Sequence, residues 1–370
     1  MAATPRNSTV DTIRSLALVA ICIVNVPFIL LPPELALLPG LTLADQLGVF
    51  LSESLLQLKF YLLFAFIFGW GLATQATAAK ESGVVFKRRY FRRMAALALL
   101  GCLHAVLVFN GDILLLYALL GCILWRLLPW PPKQLAALAL AMLPLSVVCL
   151  TILALALDAL PDSAAPLTDY AAPGFWQLTR ERLQGWPATW LFLLLLQAPL
   201  AFAAFICGVI AAKQQWLQKD SAAMQRLRRF VPWLLLLGLP LNLLFGAVSS
   251  GILPAAGELL SFAGVVLLGL AAPAMSAVYL YGMVWLSWRV SLHKLMLRAG
   301  QNSLSVYVLQ GVLAGWLAGS YGLGLYGQLN QLQLLPVALA VALCAMLLVS
   351  GYAYSFGKGP LEQLMKRILA

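Results

Sequence analysis

Apolar runs of about 20 residues, each closed by charge or by Pro and Gly, recur ten times along this chain, and they leave it few ways to fold. A stretch of that length crosses a bilayer as a helix, because lipid offers its backbone no hydrogen-bonding partner outside the segment. The runs cover roughly 12–31, 60–78, 94–109, 112–128, 134–157, 189–212, 230–248, 258–287, 301–318 and 334–355. A soluble fold fails on surface area. Hydrophobic residues make up 62% of the chain and charged residues 10%, against about 25% charged in a soluble domain. The expected fold is therefore all-α, a polytopic integral membrane bundle of about ten transmembrane helices whose surroundings are the lipid bilayer.

The net charge is +11, which in a soluble chain would suggest nucleic acid as a partner. Here Lys and Arg sit in short clusters between apolar runs, as orientation signals do, and nucleic acid is set aside. Threading the ten runs alternately puts all 24 Lys and Arg residues except Lys59, Arg180 and Arg182 on one side. The positive-inside rule makes that side cytoplasmic, with both termini in the cytoplasm and the chain in a bacterial inner membrane. The first run follows Arg6 and Arg14, and Ile21 precedes Cys22 where lipoprotein processing wants a small residue, so it is expected to be a retained span. The six cysteines lie singly inside apolar runs, which indicates neither a disulfide framework nor a metal site.

Local signals refine this outline. Ser8-Thr9-Val10-Asp11 fits a capping pattern before the first run, and Asn302-Ser303 stands where the ninth should be capped. Between 43 and 58, polar and apolar residues alternate at helical spacing, which predicts an amphipathic helix in the outer interface or one long tilted second span. The outer segment from Asp158 to about Trp186 is rich in Pro and Asp and is expected to be an irregular loop. Its aromatics could rest among headgroups or form a lid over an outward-facing site. Gly311, Gly315 and Gly319 form a flat stripe for helix packing, within the bundle or between two copies.

Ionisable residues inside a membrane are costly and are functional candidates for that reason. His104, near the end of the third run, is a natural general base. Asn110-Gly111 signals a tight turn into the fourth run, which puts Asp112 about 10 Å from His104 by helix rise. Asp112 could orient His104 or simply cap the next helix. Asn25, deep in the first run, needs an amide partner. Arg14 stands at the inner end of that run. Lys59 and Glu258 head runs on the outer side and, with Glu53, could line an outward vestibule or snorkel to water. The basic cluster that includes Arg88 and Arg89 could hold the phosphates of a nucleotide-like donor such as coenzyme A, or anionic lipid, or only fix orientation. No Walker loop, G-x-S-x-G elbow or H-E-x-x-H is present.

Several segments resemble the YeiB-like family of bacterial inner-membrane proteins, known as domain of unknown function 418. They are Asp11-Thr12-Ile13-Arg14 leading to Asn25, Lys59-Phe60-Tyr61 through Phe68-Gly69-Trp70-Gly71, and His104 followed by Gly111-Asp112-Ile113-Leu114. Gly300-Gln301-Asn302-Ser303-Leu304-Ser305-Val306-Tyr307 with Gln310, and Gly359-Pro360-Leu361-Glu362, complete the pattern. Ser15, and Gln301 to Ser303, depart from the family's usual residues. The resemblance implies a family domain over roughly 215–370, preceded by a membrane half over 1–214.

The family is similar in layout to transmembrane acyltransferases. That likeness implies a cytoplasmic acyl-CoA donor, a polar tunnel, a histidine at the chemical centre and an acceptor glycan or lipid-linked group on the far side. In this chain the expected roles are His104 as base, Asp112 as its orienting partner and Asn25 as donor to the oxyanion. Arg14, Arg88 and Arg89 would act on the donor's phosphates. The same polar residues could instead line the path of a transporter for a small solute or lipid, or only pack within a scaffold.

Overall fold

The computed structural model describes residues 7–37, 40, 42–83, 85–158, 170–253 and 258–369. Among these residues every regular element is a helix. In chain order they are α1 (Ser8–Asn25), α2 (Pro27–Leu30), α3 (Pro33–Leu37), α4 (Leu43–Leu55), α5 (Lys59–Glu81), α6 (Phe86–Leu107), α7 (Leu114–Leu127) and α8 (Pro132–Asp158). There follow α9 (Phe175–Lys213), α10 (Ala222–Ser249), α11 (Glu258–Arg289), α12 (Lys294–Gln301), α13 (Ser303–Ala318), α14 (Gln331–Phe356) and α15 (Pro360–Leu369). Among the described residues eight helical segments are long and apolar enough to cross a membrane; α7 and α13 are apolar but shorter. The chain is thus a polytopic membrane bundle, and each of the ten runs has a helical counterpart.

The central helix is α1, with 72% of its most apolar window buried against 22% for α10 at the periphery. It packs on α5, α11, α12, α13 and α14. Around it the chain forms hairpins α6–α7, α8–α9 and α10–α11, with α5 lying along α9. The starts of α1 and α13 meet the end of α11 and the tail helix α15 at one basic end, through Thr9–Ser287, Gln301–Asp11 and Leu304–Glu362 hydrogen bonds. The opposite end is tied by Gly327–Leu30, Ser320–Pro173 and Gln331–Asp45.

Three expectations change. The cap of α1 is Asn7, whose side chain accepts from Thr9 N–H, rather than Ser8. Asn302 offers α13 no side-chain cap; the Glu362 carboxylate from the tail accepts from Leu304 and Ser305 N–H at 2.9 and 3.1 Å instead. The outer segment is helical from Phe175 onward, since Pro187 inside α9 removes one N–H without ending the helix. Residues 159–169 of that segment, including Asp162 and Asp169, lie outside the described residues.

The amphipathic helix α4 is present, with its leucine face turned away from the protein as an interfacial helix requires. Gly48, Ser52 and Ser54 face the protein, against α14 and α10, while Leu43, Leu47, Leu51 and Leu55 are exposed. In a lipid setting the leucines are the cheaper face to leave outside, and hydroxyls satisfied by Gly48 and Phe50 carbonyls can go inward.

The α5–α9 contact is the tightest in the bundle core. A Cβ on Gly69 would strike the Phe205 carbonyl, and one on Gly208 the Phe66 carbonyl, so the two backbones touch where only glycine fits. Gly69→Val is expected to lower the thermal unfolding midpoint in detergent by several degrees, a loss of about 1–3 kcal/mol. Gly351→Ala, where a Cβ meets open space, is expected to leave it unchanged. Equal midpoints for both variants would contradict the packing.

Candidate functional site

The turn after α6 builds the site. Val108 and Phe109 N–H both bond to the His104 carbonyl, which ends α6 and reverses the chain. Asp112 then lies back against α6, which a side chain on Gly101 would prevent: its Cβ would stand 2.9 Å from Asp112 Oδ2. Oδ2 accepts from Leu114 N–H at 2.7 Å and Leu115 N–H at 3.4 Å, so it caps α7. Oδ1 lies 2.9 Å from His104 Nδ1 and accepts the Tyr307 hydroxyl at 3.2 Å. The expected spacing of about 10 Å is thus replaced by direct contact, because the reversed turn brings the carboxylate back along the helix. The capping and orienting roles coexist, one on each oxygen.

Asp112's other partners are all donors, so its carboxylate is an acceptor at both oxygens and His104 Nδ1 is the nitrogen turned toward it. His104 is 3% exposed, and among the described residues nothing hydrogen-bonds Nε2. The histidine borders a space of about 10 Å³ lined by Asn25, Tyr307 and Gln310 on its polar side and by Cys22, Val26, Ile29, Phe109 and Gly311 on its apolar side. Gly311 makes that space: a Cβ there would stand 3.0 Å from Nε2. This glycine of the α13 stripe therefore serves the interior of the bundle.

Two amides share the space. Asn25 Oδ1 accepts the Tyr61 hydroxyl, which leaves its NH₂ as the group able to donate. Gln310 donates to the Leu18 carbonyl at 3.3 Å, while its Oε1 has no hydrogen-bond partner among the described residues. The Tyr307 ring lies 5.2 Å from the His104 ring, centre to centre.

Tyr307 also lines a larger cavity of about 300 Å³ that runs to the basic end. Its mouth carries Arg14, Arg89, Arg93, Lys358 and Lys366, its walls are aromatic, with Phe64, Phe68 and Tyr117 among them, and its deep end is formed by Ile113, Leu114 and Tyr307. From Arg93 to His104 along α6 the rise is about 16 Å. Arg14 stands 3.8 Å from Asp11, which also accepts from Gln301 at 3.0 Å. Arg93 donates to Gln75 at 3.1 Å.

The structure thus brings His104, Asp112 and Asn25 together and places Arg14 and Arg89 at the mouth of the adjoining cavity. Arg88 is not there. The helical turn puts Phe86, Arg89, Tyr90 and Arg93 on the cavity face of α6 and leaves Arg88 exposed on another. Glu53 and Lys59 line neither cavity. Lys59 is wholly buried and does not snorkel to water: its ammonium donates to the Glu53 carbonyl at 2.7 Å. The side chain of Glu258 lies outside the described residues. Tyr307 and Gln310 were not among the expected site residues; their signal was two polar side chains three apart in an apolar run.

Residues 211–370 match the family model described as "Protein of unknown function (DUF418)". Over nearly its whole length the chain is similar to two bacterial proteins. "Uncharacterized protein YxaH" of Bacillus subtilis (strain 168) is 24% identical over 395 residues, covering 98% of this chain and 93% of that protein. "Uncharacterized protein YeiB" of Escherichia coli (strain K12) is 28% identical over 385 residues, covering 98% and 96%.

Because Asp112 serves a helix cap, a histidine and a tyrosine at once, its loss should cost more than the loss of His104. Asp112→Ala is expected to destabilise by about 2–4 kcal/mol and to lower the unfolding midpoint further than His104→Ala. The reverse order in a thermal melt would contradict the dual role.

Proposed function

We propose that this chain, which belongs to the YeiB-like DUF418 family, is an acyltransferase of the bacterial inner membrane. It moves an acyl group from an acyl-coenzyme A at the basic end of the bundle to a hydroxyl or amine of a glycan or lipid-linked acceptor at the other end. The observation that carries this reading is the pairing of an Asp-held histidine with a cavity whose mouth is cationic. Among the described residues His104 Nε2 is unpartnered; it borders a small space, and Tyr307 lines both that space and the cavity.

The basic end faces the cytoplasm under the positive-inside rule, where acyl-CoA is made. Arg14, Arg89, Arg93, Lys358 and Lys366 hold the donor's phosphates as point charges and forks. The aromatic walls take the pantetheine arm, an extended chain on the scale of the roughly 16 Å from mouth to histidine. The acyl thioester reaches His104 past Tyr307.

At the centre, His104 Nε2 takes the proton from the acceptor O–H or N–H as that atom attacks the thioester carbonyl. The Asn25 NH₂ donates to the developing oxyanion, and Asp112 stabilises the imidazolium through Nδ1. Collapse of the tetrahedral intermediate breaks the C–S bond. The thiolate takes the proton from His104, which gives acylated acceptor and free CoA thiol and returns Nε2 to its starting state.

Purified protein in proteoliposomes, given acetyl-CoA labelled in the acetyl group and a membrane extract as acceptor source, should release CoA thiol and label the acceptor. His104→Ala should lower turnover by a factor of about 10²–10⁴. Arg89→Ala should raise KM for acetyl-CoA about tenfold with kcat largely kept, as expected for loss of uniform binding. Wild-type turnover by His104→Ala, or solute uptake without CoA release, would contradict the assignment; the second result would favour transport.

A further inference from the structure

On the side of α5 away from the donor cavity lies another space, of about 700 Å³, between the hairpins α8–α9 and α10–α11. The hairpins meet where α11 passes α8: a Cβ on Gly269 would stand 2.9 Å from Ser146 Oγ and 3.2 Å from a Leu150 methyl. Nearer the basic end they part around the groove, which α5 floors with Leu63 and Phe66 and the hairpins wall with Leu143, Leu200 and Leu280.

Apart from Gln214, which accepts from Trp216 Nε1 near the basic end, the groove has little for a polar ligand to bind. The hydroxyl of Ser276 is already committed to the Lys59 and Ala272 carbonyls, at 3.0 and 2.8 Å. No Asp or Glu is among the described residues that line it. Its two cationic residues, Lys133 at the start of α8 and Arg226 in the second turn of α10, are both exposed. Both stand at the basic end, whereas the leucines lie at membrane depth in helices long enough to span. The close α5–α9 contact at Gly69 and Gly208 separates the groove from the donor cavity, so its occupant does not reach His104.

We infer that the groove is a site for one anionic phospholipid of the leaflet at the basic end, with an acyl chain between the hairpins and its phosphate on Lys133 and Arg226. The chemistry matches part by part. A flexible apolar chain fits an apolar groove, and two cations at the headgroup level favour an anionic phosphate over a zwitterionic headgroup. The lipid fills the wedge between two hairpins that do not otherwise close on each other there, so it is a resident component of the fold. The inference does not rest on the acyl-transfer reading.

The full chain, equilibrated in vesicles of equal phosphatidylglycerol and phosphatidylethanolamine and then examined by native mass spectrometry, tests it. The wild type should retain one phosphatidylglycerol per chain with at least about a fivefold preference over phosphatidylethanolamine. Lys133→Glu with Arg226→Glu should abolish the preference. Ala277→Leu and Ala136→Leu, which fill the groove from opposite walls, should each lower retention of both lipids several-fold; two variants guard against one failing to fold. A phosphatidylglycerol carrying a photoreactive group on its acyl chain should crosslink chiefly to peptides holding Leu143, Leu200 or Leu280. Equal retention of the two headgroups by the wild type, no retained lipid, or crosslinks spread evenly around the bundle would overturn the proposal.

Discussion

A carboxylate sealed inside an apolar bundle is among the most costly groups a membrane protein can carry, and the site depends on how Asp112 is accommodated. Two backbone N–H groups at the start of α7, an imidazole and a phenol surround it. The arrangement ties three helices together. It closes the α6–α7 hairpin, orients His104 on α6 and draws α13 in through Tyr307. It also explains two glycines, since Gly101 admits the carboxylate to α6 and Gly311 keeps space beside the histidine's second nitrogen. Without the carboxylate, His104 Nδ1 and the Tyr307 hydroxyl would lose the acceptor they share.

The second organising feature is the separation of charge along the bundle. Five cationic side chains gather at the mouth of one cavity, and the acid that lines it with them, Glu362, is engaged by the start of α13. The length of α6 separates the two environments, with Arg89 and Arg93 at the basic end and the buried His104 at the other. Tyr307 touches both regions, donating to Asp112 and lining the cationic cavity.

Much of this was legible in the sequence. Hydropathy and charge gave the helical membrane bundle because lipid enforces internal backbone hydrogen bonding. The scarcity of ionisable residues within the runs pointed straight to His104 and Asp112, which the structure joins. What escaped notice depends on rotation and on long-range contacts. Arg88 and Arg93 look equivalent in a basic cluster, and only the helical phase of α6 separates them. Helix α4 shows its amphipathic period in the sequence but not the helices, α10 and α14, on which its small polar face packs. Glu362 caps a helix 58 residues before it, a pairing that no local pattern reveals. Tyr307 and Gln310 resemble ordinary packing residues until α13 is seen against α6 and α1.

The central claim is that His104 Nε2 is a free base reached from the cationic cavity. A cryo-electron microscopy structure of the protein with a non-hydrolysable thioether analogue of acyl-CoA would test it most directly. The account predicts phosphate density among Arg14, Arg89 and Lys366, a displaced Tyr307 ring and the thioether beside Nε2, with the His104–Asp112 bond intact. An analogue bound elsewhere on the bundle, or a His104 whose Nε2 is occupied by a protein group while the analogue is bound, would contradict it.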